Sequence, residues 1–536
     1  MRSTGWILSI GVKFETSRRS TSIPSSLNRW GIGSMNIANN LENAAFHFPD
    51  CCAVIDGGRQ ITFAQFHAES SSIAAALAGA GVKPGEHVAL CAPNSYAWLA
   101  FYFGVLKAGA VAVTFSHMLT GAELADILSD CRPKVLFTVD EKLDAFGDLK
   151  SRRPFPELVI SHGGDISLAK FVAKGAPRFK PVDRDRSDTA AILYTGGTTG
   201  TPKGAMLTHA NIQTSLFNVA HYERSGRKDR ALCFLPLNHV FGQIHITHSM
   251  VHCGGGLVLQ AGFDLEQALD AVQRFQVTNL YAVPTIYSRL LGLANLKQKI
   301  PTVRYCFSAA ASMAAEVVRE WKARTGLNIH ESYGMTESAA MVTYNHYYCH
   351  VVGSVGTPVS LIEVQIRDFD GSVLAQGRQG EICICGPNIT KGYLNNPAET
   401  QRAFWGRWLR SGDIGLFDEH GYLYIVDRLK DMIITGGENV YPREVEELLY
   451  TRPEVLECAV VGLPDKDWGE RVAAFIVPQK GRQPDLAALK SYLKQHLAGF
   501  KVPKEFIVVD DLPKNSAGKI LKRAIRRKYQ DGEAES

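Results

Sequence analysis

The segment that decides the fold is Ala191-Ile-Leu-Tyr-Thr-Gly-Gly-Thr-Thr-Gly-Thr-Pro-Lys-Gly204. An apolar run typical of a buried strand leads into ten residues with four glycines, four threonines and one lysine. Glycines let backbone N–H groups approach an anion, threonine hydroxyls add donors, and Lys203 supplies a positive charge. This composition predicts a phosphate-binding loop. It is not a Walker A loop, because no Gly-Lys-Ser/Thr follows at the required spacing and Pro202 prevents a helix from continuing there.

Outward from this loop, helices and strands alternate along the chain. The sequence predicts helices over 63–79, 96–106 and 122–129, and strands over 87–91, 110–115, 135–138, 190–194, 231–234, 279–283 and 305–308. Strands separated by helices of about ten residues are typical of parallel sheets built from strand–helix–strand units. Glycine-punctuated short strands over 352–393 predict a small β-rich subdomain. After Asp427 the pattern becomes α+β, with helices over 443–451 and 486–497 and strands over 457–461 and 472–477.

Length and charge limit the possible functions. The chain has 536 residues, of which 46% are hydrophobic and 21% charged, so it is long enough for several domains with their own cores. The net charge is only +5, and residues 1–34 account for +4 of it. A nearly neutral body lacks the basic patch of a nucleic-acid-binding protein, and we exclude that class.

Residues 1–34 differ from the rest of the chain. They are rich in Ser, Thr and Arg and contain one acidic residue. This composition fits an organellar transit peptide, or an in-frame extension upstream of a start at Met35, which we favour. We expect a cytoplasmic protein, or a mitochondrial one if the segment is a transit peptide.

Neither a disulfide framework nor a membrane span is predicted. Eleven cysteines are too few for such a framework in a chain of this length. The most apolar window, 97–115, is interrupted by Lys107 and Gly109 and is better explained as a buried helix, a turn and a strand.

Further motifs follow the glycine–threonine loop. They are Glu331-Ser-Tyr-Gly-Met-Thr-Glu337, Trp408-Leu-Arg-Ser-Gly-Asp-Ile-Gly415, Tyr424-Ile-Val-Asp-Arg-Leu-Lys-Asp431, Gly436-Gly-Glu-Asn-Val-Tyr-Pro442 and Pro513-Lys-Asn-Ser-Ala-Gly-Lys-Ile520. In order and spacing the set resembles the AMP-forming adenylating superfamily of acyl-CoA synthetases, peptide-synthetase adenylation domains and beetle luciferases. The resemblance covers about residues 36–526 and is closest to fatty-acid CoA ligases. One departure is Gly196, which stands where the family's loop has Ser and removes one hydroxyl donor.

The resemblance implies an α/β fold. A large N-terminal domain (35–428) of parallel-sheet subdomains and a β-rich subdomain would be joined by a hinge (429–430) to a small, mobile α+β domain (431–536). It also implies the use of ATP, Mg²⁺ and CoA. A carboxylate would attack ATP to give an acyl-adenylate and pyrophosphate, and CoA would then displace AMP.

The resemblance also assigns roles on the nucleotide side. The ATP-binding residues would be Thr195, Gly196, Gly197, Thr198, Thr199, Gly200, Lys203, Tyr333, Asp413 and Arg428. Among them, Tyr333 would stack on adenine, Asp413 would bind the ribose hydroxyls and Arg428 would contact ribose or phosphate. Thr336 would contact the α-phosphate, and Glu337 would hold magnesium.

Further roles fall on the C-terminal part and on the acid. Lys519 would be the catalytic lysine that bridges the carboxylate and the α-phosphate, and Lys430 would be the hinge pivot. Gly436 and Gly437 would line the path of the CoA pantetheine. His239 would lie beside the acyl carboxylate.

The substrate acid is expected to have an uncharged body. The residues around the expected acyl pocket are apolar: Val240, Phe241, Ala309, Ala310, Ala311, Met335 and Ala340. No Asp follows His239 to pair an amino group, and Ser332 precedes Tyr333 where malonate-activating relatives carry Arg. We expect a medium- or long-chain fatty acid, with an aryl or branched acid as the alternative.

Some alternatives stay open at this point. The spacing of His245, His248 and His252 suits a shared helix face, but no carboxylate or thiol completes a metal site, and we predict none. The acceptor is free CoA or a separate carrier protein; a relative that binds nucleotide without turnover is disfavoured because the motif residues are retained together. The sequence leaves a homodimer possible.

Overall fold

The computed structural model describes residues 35–146, 149, 155–161, 163–195, 202–311, 313–515 and 518–533. All of them belong to one compact unit, Met35–Ser536. The predicted N-terminal extension, residues 1–34, lies outside the described residues, as do Gly196, Gly197, Thr198, Thr199 and Gly200 of the predicted phosphate loop.

The first sheet is six-stranded and carries the phosphate loop. Its strands are β3 (His87–Cys91), β4 (Val111–Thr114), β5 (Val135–Thr138), β6 (Leu158–Ile160), β7 (Thr189–Thr195) and β8 (Lys203–Thr208). The order is β6-β5-β3-β4-β7-β8, parallel except for β8, which pairs antiparallel with β7. The helices in this part of the chain are α2 (Phe63–Gly79), α3 (Tyr96–Lys107), α4 (Gly121–Cys131) and α5 (Leu168–Val172). The predicted phosphate loop therefore connects an antiparallel strand pair.

The second sheet is seven-stranded. Its strands are β1 (Cys52–Asp56), β2 (Arg59–Thr62), β9 (Arg230–Cys233), β10 (Gly256–Leu259), β11 (Asn279–Ala282), β12 (Tyr305–Ser308) and β13 (Ile329–Glu331). Their order is β13-β12-β11-β9-β10-β1-β2, and only β2 is antiparallel to its neighbour. The associated helices are α1 (Asn39–His47), α6 (His209–Glu223), α7 (Ser249–Cys253), α8 (Leu265–Phe275), α9 (Pro284–Leu291), α10 (Leu296–Lys299) and α11 (Ala315–Thr325). The predicted alternation of helices and parallel strands is confirmed.

A β-rich part follows the second sheet. It comprises β14 (Thr343–Tyr344), β15 (Thr357–Pro358), β16 (Glu363–Arg367), β17 (Gly380–Cys385), α12 (Pro397–Arg402), β18 (Phe404–Trp405), β19 (Trp408–Phe417) and β20 (Leu423–Arg428). Strands β16 to β20 form an antiparallel sheet in which Asp413 of β19 is the register partner of Arg428 of β20. This register brings together two motifs that are fifteen residues apart in the sequence.

The C-terminal part is α+β and has its own core. Its elements are β21 (Ile433–Thr435), β22 (Glu438–Val440), α13 (Pro442–Tyr450), β23 (Val455–Asp465), β24 (Gly469–Pro478), α14 (Leu486–His496), β25 (Glu505–Val508) and α15 (Lys522–Glu533). Strands β23 and β24 pair antiparallel over nearly their full lengths and extend well beyond the strands that the sequence predicts. Two buried clusters of this part, around Val460 and Val461, face opposite sides of the sheet. The fold is α/β with a large N-terminal part and a small C-terminal part, as predicted.

No helix among the described residues is long and apolar enough to cross a membrane.

In the second sheet, the carboxyl ends of β9, β11, β12 and β13 lie side by side, because these strands are parallel neighbours. Ligands of open α/β sheets bind outside the carboxyl ends of the strands. The chain segments that leave these ends carry His239, Val283, Ala309 and Tyr333.

Candidate active site

The described base of the phosphate loop is the register pair Thr195 and Lys203. The Lys203 ammonium forms an ion pair with Glu399 of α12 and lies 5.6 Å from the centre of the Tyr393 ring. The Lys203 hydrogen bond is the largest cause that lowers the pKa of Glu399. Lys203 is thus held by a carboxylate 196 residues away, which the sequence analysis did not identify.

Glu337 is held on the same side of the site. The Tyr393 hydroxyl donates a 2.8 Å hydrogen bond to Glu337 Oε1, and the Thr390 N–H donates to the Glu337 carbonyl at 2.7 Å. Thr336 and Glu337 lie together in a 3₁₀ turn, Thr336–Ser338. Tyr393 was also missed, because no local pattern connects it with Glu337.

The position of Glu337 bears on whether the chain could bind Mg²⁺. Within the described ranges, no group of three His, Cys, Asp or Glu side chains is placed to hold a metal ion. Mg²⁺ commonly binds through one or two carboxylates together with substrate phosphates and water. One Glu337 oxygen is bonded to Tyr393, and the carboxylate fits that mode of binding. Mg²⁺ bound there would neutralise phosphate charge.

Tyr333, Asp413 and Arg428 form one cluster, in which Tyr333 and Asp413 are buried and the Arg428 side chain is partly exposed. The Tyr333 hydroxyl donates to Asp413 Oδ2 at 2.6 Å, and Arg428 Nε lies 3.0 Å from Asp413 Oδ1. The Asp413 charge raises the pKa of Arg428. Burial, followed by the Asp413 charge, raises the pKa of Tyr333 well above its ordinary value. Three motif residues predicted to share a nucleotide site are therefore in direct contact.

Two buried polar atoms beside this cluster lack a protein partner. Glu331 and Ser308 are register partners at the carboxyl ends of β13 and β12. Within the described part of the chain, Glu331 Oε2 and Ser308 Oγ have no hydrogen-bond partner. Burial raises the pKa of Glu331 to about 8. Such unpaired groups are costly unless a ligand or water binds them, and they mark this edge as a binding site.

Lys519 reaches the site from the C-terminal part. Asn515 and Lys519 exchange two 2.9 Å hydrogen bonds, from the Asn515 N–H to the Lys519 carbonyl and from the Lys519 N–H to Asn515 Oδ1. Between them, Gly518 has φ +78°, and a Cβ there would lie 3.1 Å from Val283 Cγ2 at the end of β11. The segment around Gly518 and Lys519, which we call the lysine loop, therefore packs against the carboxyl edge of the second sheet.

The pKa values of Lys519 and His239 reflect this position. Burial, followed by the Arg428 charge, lowers the pKa of Lys519 to about 7. Burial, followed by the Lys519 charge, lowers the pKa of His239 to about 4. His239 Nδ1 also accepts a 3.3 Å hydrogen bond from the Phe241 N–H. The low pKa of His239 favours a neutral imidazole, close enough to Lys519 for the lysine charge to affect it.

The predicted hinge residue and the predicted CoA-path glycines lie in two turns at the start of the C-terminal part. Lys430 lies in the 3₁₀ turn Leu429–Asp431, which connects β20 to the C-terminal sheet. Gly436 and Gly437, with φ of +59° and +85°, form the two-residue connection between β21 and β22. A Cβ at Gly436 would lie 2.6 Å from the Trp468 ring. The hairpin thus packs on Trp468, whereas Gly518, next to Lys519, packs on Val283.

The predicted acyl side contains strained alanines. Ala310 and Ala340 have φ of +70° and +103°, values that side chains rarely adopt. Backbone strain of this kind is concentrated at functional sites. Val240 and Phe241 are buried, Ala309 and Met335 are half-buried, and Ala311 is exposed.

The three histidines after His239 do not converge. The helix over Phe241–His248 is a π-helix, so side chains three and four apart do not share the face that an α-helix would give them. His245 contacts Glu223, His248 Nε2 lies 2.9 Å from the Tyr102 hydroxyl, and His252 Nδ1 lies 3.0 Å from Asn40 Oδ1. Each histidine has its own partner in a different part of the fold.

A glycine–threonine segment between two antiparallel strands, an aromatic–carboxylate–guanidinium cluster and a lysine from the C-terminal part are together the features of a nucleotide-dependent enzyme that activates carboxylates. The chain belongs to the AMP-binding enzyme family, whose model matches residues 41–394, and the model of that family's C-terminal domain matches 444–519. It is an AMP-forming acyl-CoA ligase that uses ATP and CoA.

Relatives with different acids are similar along almost the whole chain. A feruloyl-CoA synthase of Amycolatopsis sp is 36% identical over 484 residues, 90% of this chain and 96% of that protein. A long-chain-fatty-acid–CoA ligase of Bacillus subtilis (strain 168) is 32% identical, covering 90% of this chain and 93% of that protein. The crystal structure of ATP-bound MatB from Rhodopseudomonas palustris superposes with a TM-score of 0.86 at 34% identity, covering 92% and 99% of the two chains.

Proposed function

We propose that this ligase activates an acid with an uncharged, apolar body at the carboxyl edge of the second sheet and transfers it to free CoA. The observation that carries the proposal is the convergence of Lys519, His239 and the Tyr333–Asp413–Arg428 cluster at that edge. These residues come from segments distant in sequence, and they combine positive charge for phosphate with a neutral pocket for the acid.

In the first step, the carboxylate attacks the α-phosphate of ATP and pyrophosphate leaves. The contribution of the protein to such a phosphate displacement is positioning and charge stabilisation. We assign Lys519 to the developing negative charge between the carboxylate and the α-phosphate. Neutral His239 packs beside the acid without adding a competing charge. Asp413 orients the nucleotide, Arg428 balances the Asp413 charge, and Glu337 holds Mg²⁺.

In the second step, the CoA thiolate displaces AMP from the acyl-adenylate. Lys519 and the Gly436–Gly437 hairpin belong to the same C-terminal part, but Gly518, next to Lys519, packs against Val283 of the second sheet, whereas Gly436 packs against Trp468 within the C-terminal part. We propose that this part rotates about Lys430 between the steps, so that the hairpin replaces Lys519 at the site. The domain boundaries of the sequence analysis, with a hinge at 429–430, are part of this proposal.

The acid class is the least constrained element. The sequence predicts a medium- or long-chain fatty acid, with an aryl or branched acid as the alternative, and the relatives include a feruloyl and a fatty-acyl enzyme. The acids of these two relatives share an uncharged body, whereas other relatives act on oxalate and 2-succinylbenzoate, which carry a second carboxylate. Val240, Phe241 and Met335 supply apolar walls for an uncharged body. None of these three side chains carries a charge that could pair with a second charged group of the acid.

The test measures AMP and pyrophosphate release with MgATP and a panel of acids from acetate to palmitate, with benzoate, cinnamate and malonate, each with and without CoA. We expect AMP release that depends on an uncharged acid and on CoA. A preference for malonate would contradict the apolar pocket. Pyrophosphate release without acyl-CoA would indicate a carrier protein as the acceptor, and ADP as the product would contradict the reaction.

A further inference from the structure

A fully buried carboxylate contacts His245, whose ring contacts Phe241 of the predicted acyl pocket. Glu223, the last residue of α6, has no exposed surface. Its Oε1 lies 2.6 Å from His245 Nε2, and its Oε2 accepts a 2.5 Å hydrogen bond from the Tyr281 hydroxyl. The Tyr281 hydroxyl in turn accepts a 3.3 Å bond from Asn279. Both carboxylate oxygens are therefore engaged, and neither is directed to a water-filled space.

The two partners of this carboxylate, His245 and Tyr281, pack against two further rings. We call the four rings the ring cluster: Phe241, His245, Tyr281 and Phe307. Every pair among them is in contact, with centroid separations from 4.4 Å (His245 to Phe307) to 6.4 Å (Phe241 to Tyr281). Each ring is at most 4% exposed. Tyr281 and Phe307 are register partners on β11 and β12, so they lie on the same face of the sheet.

The ring cluster lies a short distance below the reacting groups. Phe241 follows His239 and donates its N–H to that imidazole. Tyr281 precedes Val283, which the lysine loop contacts, by two residues. At about 3.3 Å per strand residue, the ring cluster begins roughly 7 Å below the edge where Lys519 enters. An aryl ring with a small substituent fills such a depth, whereas a long acyl chain exceeds it several-fold.

Moving the ring cluster aside to admit a longer acyl chain would cost more free energy than the chain gains. Moving His245 or Tyr281 aside would leave the Glu223 carboxylate buried without its partners, which is strongly unfavourable. Each additional methylene group gains only the modest free energy of its own burial. The cost of opening therefore exceeds what several methylenes return.

We propose that the ring cluster, held in place by Glu223, is the length-determining floor of the acyl pocket, and that the substrates are aryl acids or aliphatic acids of similar length. This inference rests on the proposed function, since it assumes that the acid binds at this edge. It favours the aryl alternative over the medium- or long-chain fatty acid expected from the sequence.

The experiment compares kcat/KM for CoA-dependent AMP release with benzoate, cinnamate, hexanoate, laurate and palmitate. We expect the wild-type enzyme to prefer the compact acids over laurate and palmitate by at least a hundredfold. Phe241→Ala removes the ring nearest His239 without disturbing Glu223, and it should raise the laurate-to-benzoate ratio at least tenfold. Phe171→Ala, which removes a buried ring beside the first sheet, is the matched control and should leave that ratio unchanged.

Each outcome bears on a separate claim. No acid-dependent AMP release with any acid of the panel defeats the proposed function itself. Laurate or palmitate turned over as well as benzoate by the wild type defeats only the floor. An unchanged ratio in folded Phe241→Ala also overturns the floor, and Phe241→Leu, a smaller change with the same expected direction, replaces that variant if it fails to fold.

Discussion

Replacing Lys519 by alanine is expected to slow adenylate formation by about 10²–10³-fold, by analogy with the removal of a donor directed at a developing oxyanion. The lysine loop packs on Val283, where Lys519 interacts electrostatically with His239, Arg428 and Asp413. The loss should therefore fall on the first half-reaction. Thioester formation from supplied acyl-AMP and CoA should be nearly unchanged.

The size of this effect should depend on pH. Burial and the Arg428 charge lower the pKa of Lys519 to about 7, so the lysine is mostly charged at pH 6 and mostly neutral at pH 8. If the charged form is the active one, wild-type kcat/KM for adenylation falls as pH rises through 7. The gap between wild type and Lys519→Ala should then shrink about tenfold between pH 6 and pH 8. Lys519→Arg keeps its charge over this range and should lose that alkaline decline.

The assay is pyrophosphate release for the first step and acyl-CoA formation from synthetic acyl-AMP for the second, each at pH 6, 7 and 8. Lys528→Ala, which removes an exposed lysine of α15, serves as the control and should match the wild type in both steps. The reasoning would be refuted by equal damage to the two half-reactions in Lys519→Ala. A pH-independent gap between this variant and the wild type would also refute it.

Three further predictions concern other residues. Gly437→Leu should impair thioester formation more than adenylation in the same two assays. The control Gly481→Leu, at a similar φ of +78° in the same part of the chain, should leave both steps unchanged. Equal loss in the two variants would indicate backbone strain alone. Glu399→Gln should free the Lys203 ammonium to bind phosphate and lower the KM for MgATP about fivefold, which corresponds to the interaction free energy of a partly buried ion pair. An unchanged KM would contradict this. Burial lowers the pKa of Lys107 to about 7 in the folded chain. Between pH 7 and about 10.5 the unfolded chain therefore binds more protons than the folded chain, and the free energy of unfolding of the wild type rises with pH. Lys107→Met should therefore raise the free energy of unfolding by roughly 2–4 kcal/mol near pH 7 and by much less at pH 10, measured by urea denaturation. A pH-independent difference would contradict the lowered pKa of Lys107.

The sequence by itself determined the local parts of this protein. Apolar runs of four to seven residues placed the parallel strands, and the helices between them followed from the alternation of these runs with longer segments. These features depend on neighbouring residues, and so they can be predicted from a short window. The motif resemblance added the family and the expected roles of residues such as Lys519.

Only the tertiary structure decided which distant side chains meet. Asp413 joins Tyr333, 80 residues away, Lys203 joins Glu399, 196 residues away, and His245 joins Glu223. The histidine spacing suits a shared α-helical face, for which the sequence predicts no metal, but the chain forms a π-helix there and directs the His245 ring to a buried carboxylate. Such contacts depend on sheet order, register and the packing of helices on the sheet, and no local pattern contains that information.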